Sequence, residues 1–441
     1  MNDKKQIFGW AMYDWANSAY VTTVAVALFP LYFGSVIVPE EGFEILGSRF
    51  SAPSLLGFMS SICSFLIFLC APILGAIADF SASKKKFLMV FCYGGSLFTI
   101  LLFFCGSGDV WLAMFFFALT QIGFVGGNTF YDAFLPHIAS EDRLDRVSGT
   151  GFATGYLGGG LQFALSLGLV AGHQTFGISQ ELASRIAMTM AGIWWAGFSI
   201  ITFVILKEED TAETLPRKND AWPRLLSYAA IGIGRTVATA RKVRRFKHLL
   251  LFLIAFMIFN DAIQTVIKMA AIYGQQELEI SQTSILVTLL AIQFVAFFGA
   301  LFFGYLAERI SAKRTLILTL LLWTGVVVYA YFINTSTEFF ILGMVIGIVL
   351  GGSQALSRSL YGGMIPRHAA AEFYGFYSIF TKFSAIFGTA IFALIDHLTG
   401  SSRGALISLS LFFITGVIIL SFVDVGKAKE ARTQALFSPE R

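Results

Sequence analysis

Gly75-Ala-Ile-Ala-Asp79-Phe-Ser-Ala-Ser-Lys84-Lys85 and Gly304-Tyr-Leu-Ala-Glu308-Arg-Ile-Ser-Ala-Lys313-Arg314 carry one spacing twice, 229 residues apart. In each, an acid follows the glycine by four residues and a lysine follows it by nine. Each stretch sits between two apolar runs, so each reads as a short polar loop joining two hydrophobic segments. A second pair of stretches supports the first. Gly126-Gly127-Asn128 leads to Pro136, and Gly351-Gly352-Ser353 leads to Pro366, at offsets of 225 and 230. Two matches in equivalent places make the chain an internal duplication, the usual build of transporters.

The segments between these loops fix the solvent. Of 441 residues, 56% are hydrophobic and 13% charged, about half the charge of a soluble globular chain. Phenylalanine alone takes 47 positions, more than a water-facing surface could cover. Such a composition excludes soluble enzymes, disordered chains and nucleic-acid binders. A span needs roughly 20 mostly apolar residues. Twelve segments qualify, near 10–37, 54–78, 87–106, 110–135, 147–171, 185–206, 248–272, 283–307, 315–333, 339–361, 372–395 and 404–423. Lipid excludes irregular backbone, so the expected fold is all-α: twelve transmembrane helices in two pseudo-symmetric six-helix bundles.

Lys and Arg set the orientation. With a cytoplasmic N-terminus, 25 of the 31 basic residues fall inside, only Arg49, Arg185 and Arg403 fall outside, and Lys268, Arg358 and Lys382 lie within spans. Both termini are therefore expected in the cytoplasm, as in a bacterial inner membrane. The expected organisation is an N-terminal bundle over 1–206, a basic linker over 207–247, a C-terminal bundle over 248–425 and a tail over 426–441. The linker holds ten basic and five acidic residues. Its second half, Trp222 to Lys247, mixes Leu225, Tyr228, Ile231 and Val237 with Arg235, Arg241, Arg244 and Arg245. That pattern predicts an amphipathic helix that meets anionic membrane lipids.

The four cysteines, Cys63, Cys70, Cys92 and Cys105, all lie in apolar runs and read as small buried hydrophobes. The five histidines have no metal spacing, and no Gly-x-Ser-x-Gly is present, so neither an enzyme nor a cofactor is expected.

The Gly–acid–Lys loop resembles the signature of the major facilitator superfamily, where it follows spans two and eight. Longer stretches narrow the resemblance. They are Tyr13-Asp14-Trp15-Ala16-Asn17-Ser18-Ala19-Tyr20, Tyr131-Asp132-Ala133-Phe134-Leu135-Pro136, Phe259-Asn260-Asp261, Gly351-Gly352-Ser353-Gln354-Ala355-Leu356-Ser357-Arg358-Ser359 and Glu372-Phe373-Tyr374-Gly375-Phe376-Tyr377. Together they resemble the vacuolar effluxer branch, the autophagy-related amino-acid exporters and their bacterial relatives. The resemblance implies an alternating-access transporter, and the fungal members imply a neutral amino acid or similar carboxylate-bearing metabolite moving outward. Export of a drug, siderophore or other organic anion is the second reading, and a non-transporting sensor a third.

An ionisable side chain inside a span costs at least ~2.5 kcal/mol on insertion scales, so each is a functional candidate. Three acids, Asp14, Asp132 and Asp261, and three bases, Lys268, Arg358 and Lys382, qualify. Gln354, Ser357, Arg358 and Tyr361 recur on one helical face, as do Asp261, Gln264 and Lys268. The expected substrate site is Asn17, Asn128, Asn260, Asp261, Gln264, Gln354, Arg358 and Lys382. In it Arg358 and Lys382 hold a carboxylate, and Asp261 receives an ammonium group. An ion pair between Asp261 and Lys382 is the structural alternative. Proton coupling or gating is expected of Asp14 and Asp132, with protons as the candidate coupled ion. Gating is also expected of the doubled loop, through Gly75, Asp79 and Lys84 in one copy and Gly304, Glu308 and Lys313 in the other.

Overall fold

The computed structural model describes residues 1–45, 47–208, 224–243, 246–384, 387–399 and 402–433. Among them, eleven helices are long and apolar enough to cross a membrane. In chain order these are Lys4–Ile37 (span one), Ala52–Ser81 (two), Lys84–Phe104 (three), Val110–Ile138 (four) and Gln180–Ile205 (six). The series continues with Lys247–Gln275 (seven), Gln282–Arg309 (eight), Ala312–Ala330 (nine), Ser336–Met364 (ten), Arg367–Phe392 (eleven) and Ser402–Ser421 (twelve). Span five is the helix Leu144–Ala171. Its 28 residues give about 42 Å of rise, enough to cross. Its apolarity is diluted by Gly149, Gly151, Gly155, Gly158, Gly159, Gly160 and Gly168. The chain is an all-helical, multi-pass membrane protein.

Those glycines set how close span five comes to span one. A Cβ at Gly158 would lie 2.5 Å from the Trp15 carbonyl oxygen, and one at Gly155 would lie 2.8 Å from Ser18 Oγ. Without side chains the two backbones pack directly, the usual way helices associate where lipid supplies no hydrophobic drive. Span one itself is not uniform. It widens to π-helical winding over Tyr20–Leu28 and Phe33–Ile37, on either side of Pro30, whose missing N–H interrupts the α-helical ladder.

One feature departs from the all-helical expectation. Phe43–Ile45 pairs antiparallel with Ser48–Phe50 in the connection between spans one and two. Gly42 and Gly47 take φ of 86° and 79°, values that glycine adopts without strain, and they permit the tight reversal.

Two of the pairs of spans that join the halves pack backbone to backbone. At the first, spans two and eleven, a Cβ on Gly75 would lie 2.3 Å from the Ala371 oxygen, and one on Gly375 would lie 2.7 Å from Pro72 Cα. At the second, spans five and eight, a Cβ on Gly149 would lie 2.7 Å from the Ala300 oxygen. Both contacts lie toward the end of the molecule that carries Lys84–Lys86, Arg143, Arg146, Lys313 and Arg314, here called the basic end.

The linker and tail add to that end. Of the expected amphipathic segment, Arg224–Val243 is helical, while Trp222, Arg244 and Arg245 lie outside the described residues. This helix leans on span two: Tyr228 meets Phe80 edge-on at 6.1 Å, and the Arg235 guanidinium lies 4.9 Å from the centre of the Phe80 ring. A tail helix, Val425–Thr433, sends Lys429 and Arg432 across to Glu141, between spans four and five.

Candidate functional site

A cavity of about 570 Å³ lies between the halves. Its walls are largely apolar, with Val21, Ile67, Phe124, Phe256, Ile263, Ile267, Leu289 and Ile346 among them. Of the residues predicted to bind substrate, Asn17, Asn128, Asn260, Gln264, Gln354, Arg358 and Lys382 line it, together with Asp14 and Asp132. Val26, Ser60 and Lys268 on its rim are exposed, whereas Asp14 and Arg358 on its floor are buried. The cavity is therefore closed toward the basic end and widens away from it.

Arg358 builds the floor. From span ten, which belongs to the second half, its guanidinium enters the first half and is bound on every side. Nη1 donates to Asp132 Oδ1 at 3.1 Å and to Asp14 Oδ2 at 3.3 Å. Nε donates to Ser148 Oγ at 3.0 Å and Nη2 to the Ser148 carbonyl at 2.9 Å. Phe152, Trp10 and Tyr131 surround the charge, with ring centres 4.1, 4.9 and 5.5 Å from Cζ. The Tyr131 hydroxyl donates to Asp14 at 2.7 Å, and Trp10 Nε1 donates to the Tyr131 carbonyl at 2.9 Å. Residues of spans one, four and five thus converge on one arginine. Removing one member of a buried, hydrogen-bonded charge cluster costs about 3–5 kcal/mol, so this is a strong tie between halves.

The remaining predicted residues fall at different levels. Asn17 donates to Asn128 Oδ1 at 2.6 Å within the first half. Gln354 accepts from the Tyr156 hydroxyl at 2.7 Å across the halves, as Thr129 and Ser378 do with each other at 2.8 Å. Asn260 donates to Ser384 Oγ at 2.5 Å, joining spans seven and eleven. Asp261 is buried and accepts from the Gly388 N–H at 2.7 Å, in the first turn of the helix Phe387–Thr399. A carboxylate there complements the positive end of the helix dipole. Among the described residues, no ion pair within 4 Å joins Asp261 to Lys382.

The doubled loop lies below the floor. Asp79 accepts from the backbone N–H groups of Ala371 at 3.2 Å and Glu372 at 2.9 Å, capping the helix Ala370–Phe383 of span eleven. Lys84 Nζ lies 3.4 Å from the same carboxylate. In the second copy, Glu308 reaches Arg146 at 3.9 Å, and Lys313 donates to the carbonyls of Ser421 and Val423 at 2.7 Å each. A Cβ on Gly304 would lie 3.2 Å from the Asp145 oxygen, a looser fit than at Gly75.

Residues that the sequence gave no site role complete the floor: Trp10, Ser148, Phe152 and Tyr374, whose hydroxyl donates to the Arg358 carbonyl at 3.1 Å. Tyr374 stands in the Glu372–Tyr377 stretch that carries the family resemblance, but nothing in its spacing points at Arg358.

Known proteins match this architecture. The family model described as "Vacuole effluxer Atg22 like" matches residues 2–144 and 140–433. A Bacillus subtilis protein described as an uncharacterized MFS-type transporter, YxiO, is 36% identical over 432 residues, covering 98% of this chain and 97% of its own. Autophagy-related protein 22-1 of Aspergillus niger is 27% identical over 302 residues, covering 64% of this chain and 48% of its own. The chain thus spans about half the length of that fungal relative. Among solved structures, the proton:xylose symporter XylE superposes with a TM-score of 0.69 at 13% identity, covering 96% of this chain and 97% of that one. FucP in its outward conformation gives 0.66 at 11%, covering 95% and 98%. At those identities the likeness shows the fold alone. The helical architecture and the family match agree: the chain belongs to the Atg22-like vacuole effluxer family of major facilitator superfamily transporters.

Proposed function

We propose that the protein moves a small carboxylate-bearing solute across the membrane by alternating access, in the direction of efflux. The observation that carries this reading is the large cavity between the halves, sealed at one end by contacts between them and widening toward the other. The positive-inside distribution supports a cytoplasmic basic end, with both termini inside and the cavity facing outward in this conformation. A neutral amino acid is the solute that the fungal branch suggests, and the family's description supports export. In this reading Arg358 holds the halves together while the cavity faces outward, and parting that cluster opens the inner side. Two carboxylates, Asp14 and Asp132, share one guanidinium, which leaves a negative charge that a proton would neutralise. Protons are therefore the proposed coupled ion. The basic linker over 207–247 acts as the tether between bundles, and its described helix Arg224–Val243 meets anionic headgroups.

Counterflow in proteoliposomes tests the reading. Vesicles preloaded with one unlabelled solute should accumulate the labelled form, and Arg358→Ala should reduce that uptake at least tenfold. Uptake equal to protein-free vesicles for every solute tried, from folded protein, refutes transport.

A further inference from the structure

We propose that Asp261 and Thr265 form a binding site for one small monovalent cation, a proton or a sodium ion, set behind the wall of the cavity. This rests on the transport reading above and places a coupled ion in the second half, apart from the floor cluster. Asp261 lies on span seven and is 2% exposed, and Thr265, one turn on, is fully buried. Neither lines the cavity. One carboxylate oxygen, Oδ2, accepts from the Gly388 N–H at 2.7 Å. The other, Oδ1, is buried without a hydrogen-bond partner, and so is the Thr265 hydroxyl. Both stand against the same glycine: a Cβ on Gly388 would lie 2.5 Å from Thr265 Oγ1 and 3.1 Å from Asp261 Oδ1. Buried polar atoms are nearly always bonded, so two orphans at one spot call for a ligand.

The charge calls for a partner as well. Among the described residues Asp261 makes no ion pair within 4 Å. The charged groups on the spans packed against it are placed elsewhere. Lys268 stands seven residues on along span seven, about 10 Å of helical rise toward the exposed rim. Arg358 is held by Asp14 and Asp132, and Arg403 by Glu277. Lys382 lines the cavity, which Asp261 does not reach. Asp396 and His397 stand eight and nine residues beyond Gly388, about 12 Å of rise or more. The helix Phe387–Thr399 offsets part of the charge through its positive end. A carboxylate taken out of water keeps the larger part of its desolvation cost. One positive charge at Oδ1 answers both needs. It must be small, because Gly388 leaves no space for a methyl-sized group beside the Thr265 hydroxyl. A proton on Oδ1 would donate to Thr265 Oγ1 while Oδ2 keeps the Gly388 N–H. A sodium ion would take both orphan oxygens as ligands.

One residue joins this site to the cavity. Asn260, beside Asp261, lines the cavity and donates to Ser384 Oγ at 2.5 Å. Span seven thus grips span eleven at two adjacent residues, one on the cavity and one on the cation site. A shift of span eleven against span seven disturbs both.

The test melts the full, detergent-purified chain in two series: falling pH in sodium-free choline chloride, and rising sodium chloride at fixed alkaline pH and constant total salt. Wild type should melt higher along one series, because a cation bound only by the native state stabilises it. Asp261→Asn should lose most of that response, since its carboxamide is neutral and donates to Thr265 unaided. In sodium-free alkaline buffer this variant should melt at or above wild type, whereas loss of a mere helix cap would lower it. Thr265→Val keeps the shape, removes the hydroxyl and should weaken apparent cation affinity at least tenfold. A response to sodium at fixed pH identifies sodium. A response to pH alone identifies the proton, and infrared difference spectra should then show a protonated-carboxyl band that Asp261→Asn lacks. Wild type and Asp261→Asn responding alike, with the variant melting lower throughout, overturns the proposal. Counterflow of labelled alanine, leucine and glutamate reads transport separately. Exchange without a cation response at Asp261 overturns the site and leaves the transport reading standing. A cation response lost in Asp261→Asn, without exchange of any solute tried, upholds the site and overturns transport.

Discussion

Gly75→Ala is the smallest change that should move the conformational balance. The added Cβ would meet the Ala371 oxygen at 2.3 Å, the Ala371 carbonyl carbon at 2.6 Å and the Glu372 nitrogen at 2.7 Å. All three are backbone atoms inside span eleven, so no side chain can rotate away. Contact near 3.4 Å requires the spans to part by about 1 Å, and such overpacking typically costs about 1–3 kcal/mol. Parting them also stretches the bonds from Ala371 and Glu372 to Asp79, already 3.2 and 2.9 Å long. The cost falls on the conformation in which the basic end is closed and is absent once that end opens. At 1.4 kcal/mol per tenfold, the open-inward population should rise roughly fivefold to a hundredfold. Thiol labelling reads this directly. In a background lacking Cys63, Cys70, Cys92 and Cys105, Ser359→Cys places a thiol where the wild-type side chain is 1% exposed, at the basic end. An impermeant maleimide added from that side should react faster by the same factor when Gly75→Ala is present. Gly304→Ala is the internal control, because its Cβ would meet nothing closer than 3.2 Å and should change labelling by less than about threefold. Equal labelling with and without Gly75→Ala, in folded protein, refutes the argument that this contact closes the inner end.

Other expectations follow from the same geometry. Arg358→Gln should destabilise by about 3–5 kcal/mol because it leaves Asp14 and Asp132 facing each other, and adding Asp132→Asn should recover part of the loss in thermal melting. Asp79→Asn should lower the melting temperature and raise labelling at Ser359→Cys, since it removes the carboxylate that caps span eleven and pairs with Lys84. Gly158→Ala should cost about 1–3 kcal/mol by forcing span five off the Trp15 carbonyl, measured as a shift in the melting curve. Glu141→Ala removes contacts from a partly exposed carboxylate to Lys429 and Arg432, and should change stability by less than about 1 kcal/mol.

Hydrophobic length, the basic loops and the doubled glycine–acid–lysine spacing made the architecture legible in the sequence, because membrane thickness and charge asymmetry constrain a chain directly. The cavity-facing polar residues were legible for a related reason. A polar side chain at helical spacing inside a span must face other protein or water, so Asn17, Gln264 and Gln354 were assigned to the interior without coordinates. Pairing was not legible. Arg358 and Asp132 are 226 residues apart in sequence and meet only because spans ten and four converge with span five at the floor. Depth along a helix gives level but not azimuth or tilt, so Arg358 could not be matched to its acids, nor Asp261 to Gly388. The hairpin at Phe43–Ile45 was hidden for another reason: three-residue strands carry too little periodicity to register.

The two copies of the loop share a spacing but have come to hold different things, and the difference indicates which contact controls opening. Asp79 is buried, caps a helix of the opposite half and holds Lys84 of its own half, so parting spans two and eleven takes the acceptor away from two backbone donors and leaves the carboxylate with Lys84. Glu308 faces the opposite half as well, but at 3.9 Å from an exposed Arg146, where solvent screens the pair and its loss costs little. Lys313 has turned away altogether and pins the end of span twelve within its own half. Gly75 and Gly304 show the same inequality, the first sealed against backbone at 2.3 Å and the second meeting nothing nearer than 3.2 Å. The second interface is closed instead by Gly149 against Ala300 and by Ser148, which donates to the Ala355 carbonyl at 2.8 Å and receives Arg358. An opening motion that pivots on spans five and eight while spans two and eleven part would break the Asp79 cap first and reach the Arg358 cluster second. Loss of the Asp79 cap should therefore loosen the basic end before it disturbs the Arg358 cluster, an order that thiol labelling of Asp79→Asn and Arg358→Gln side by side would check.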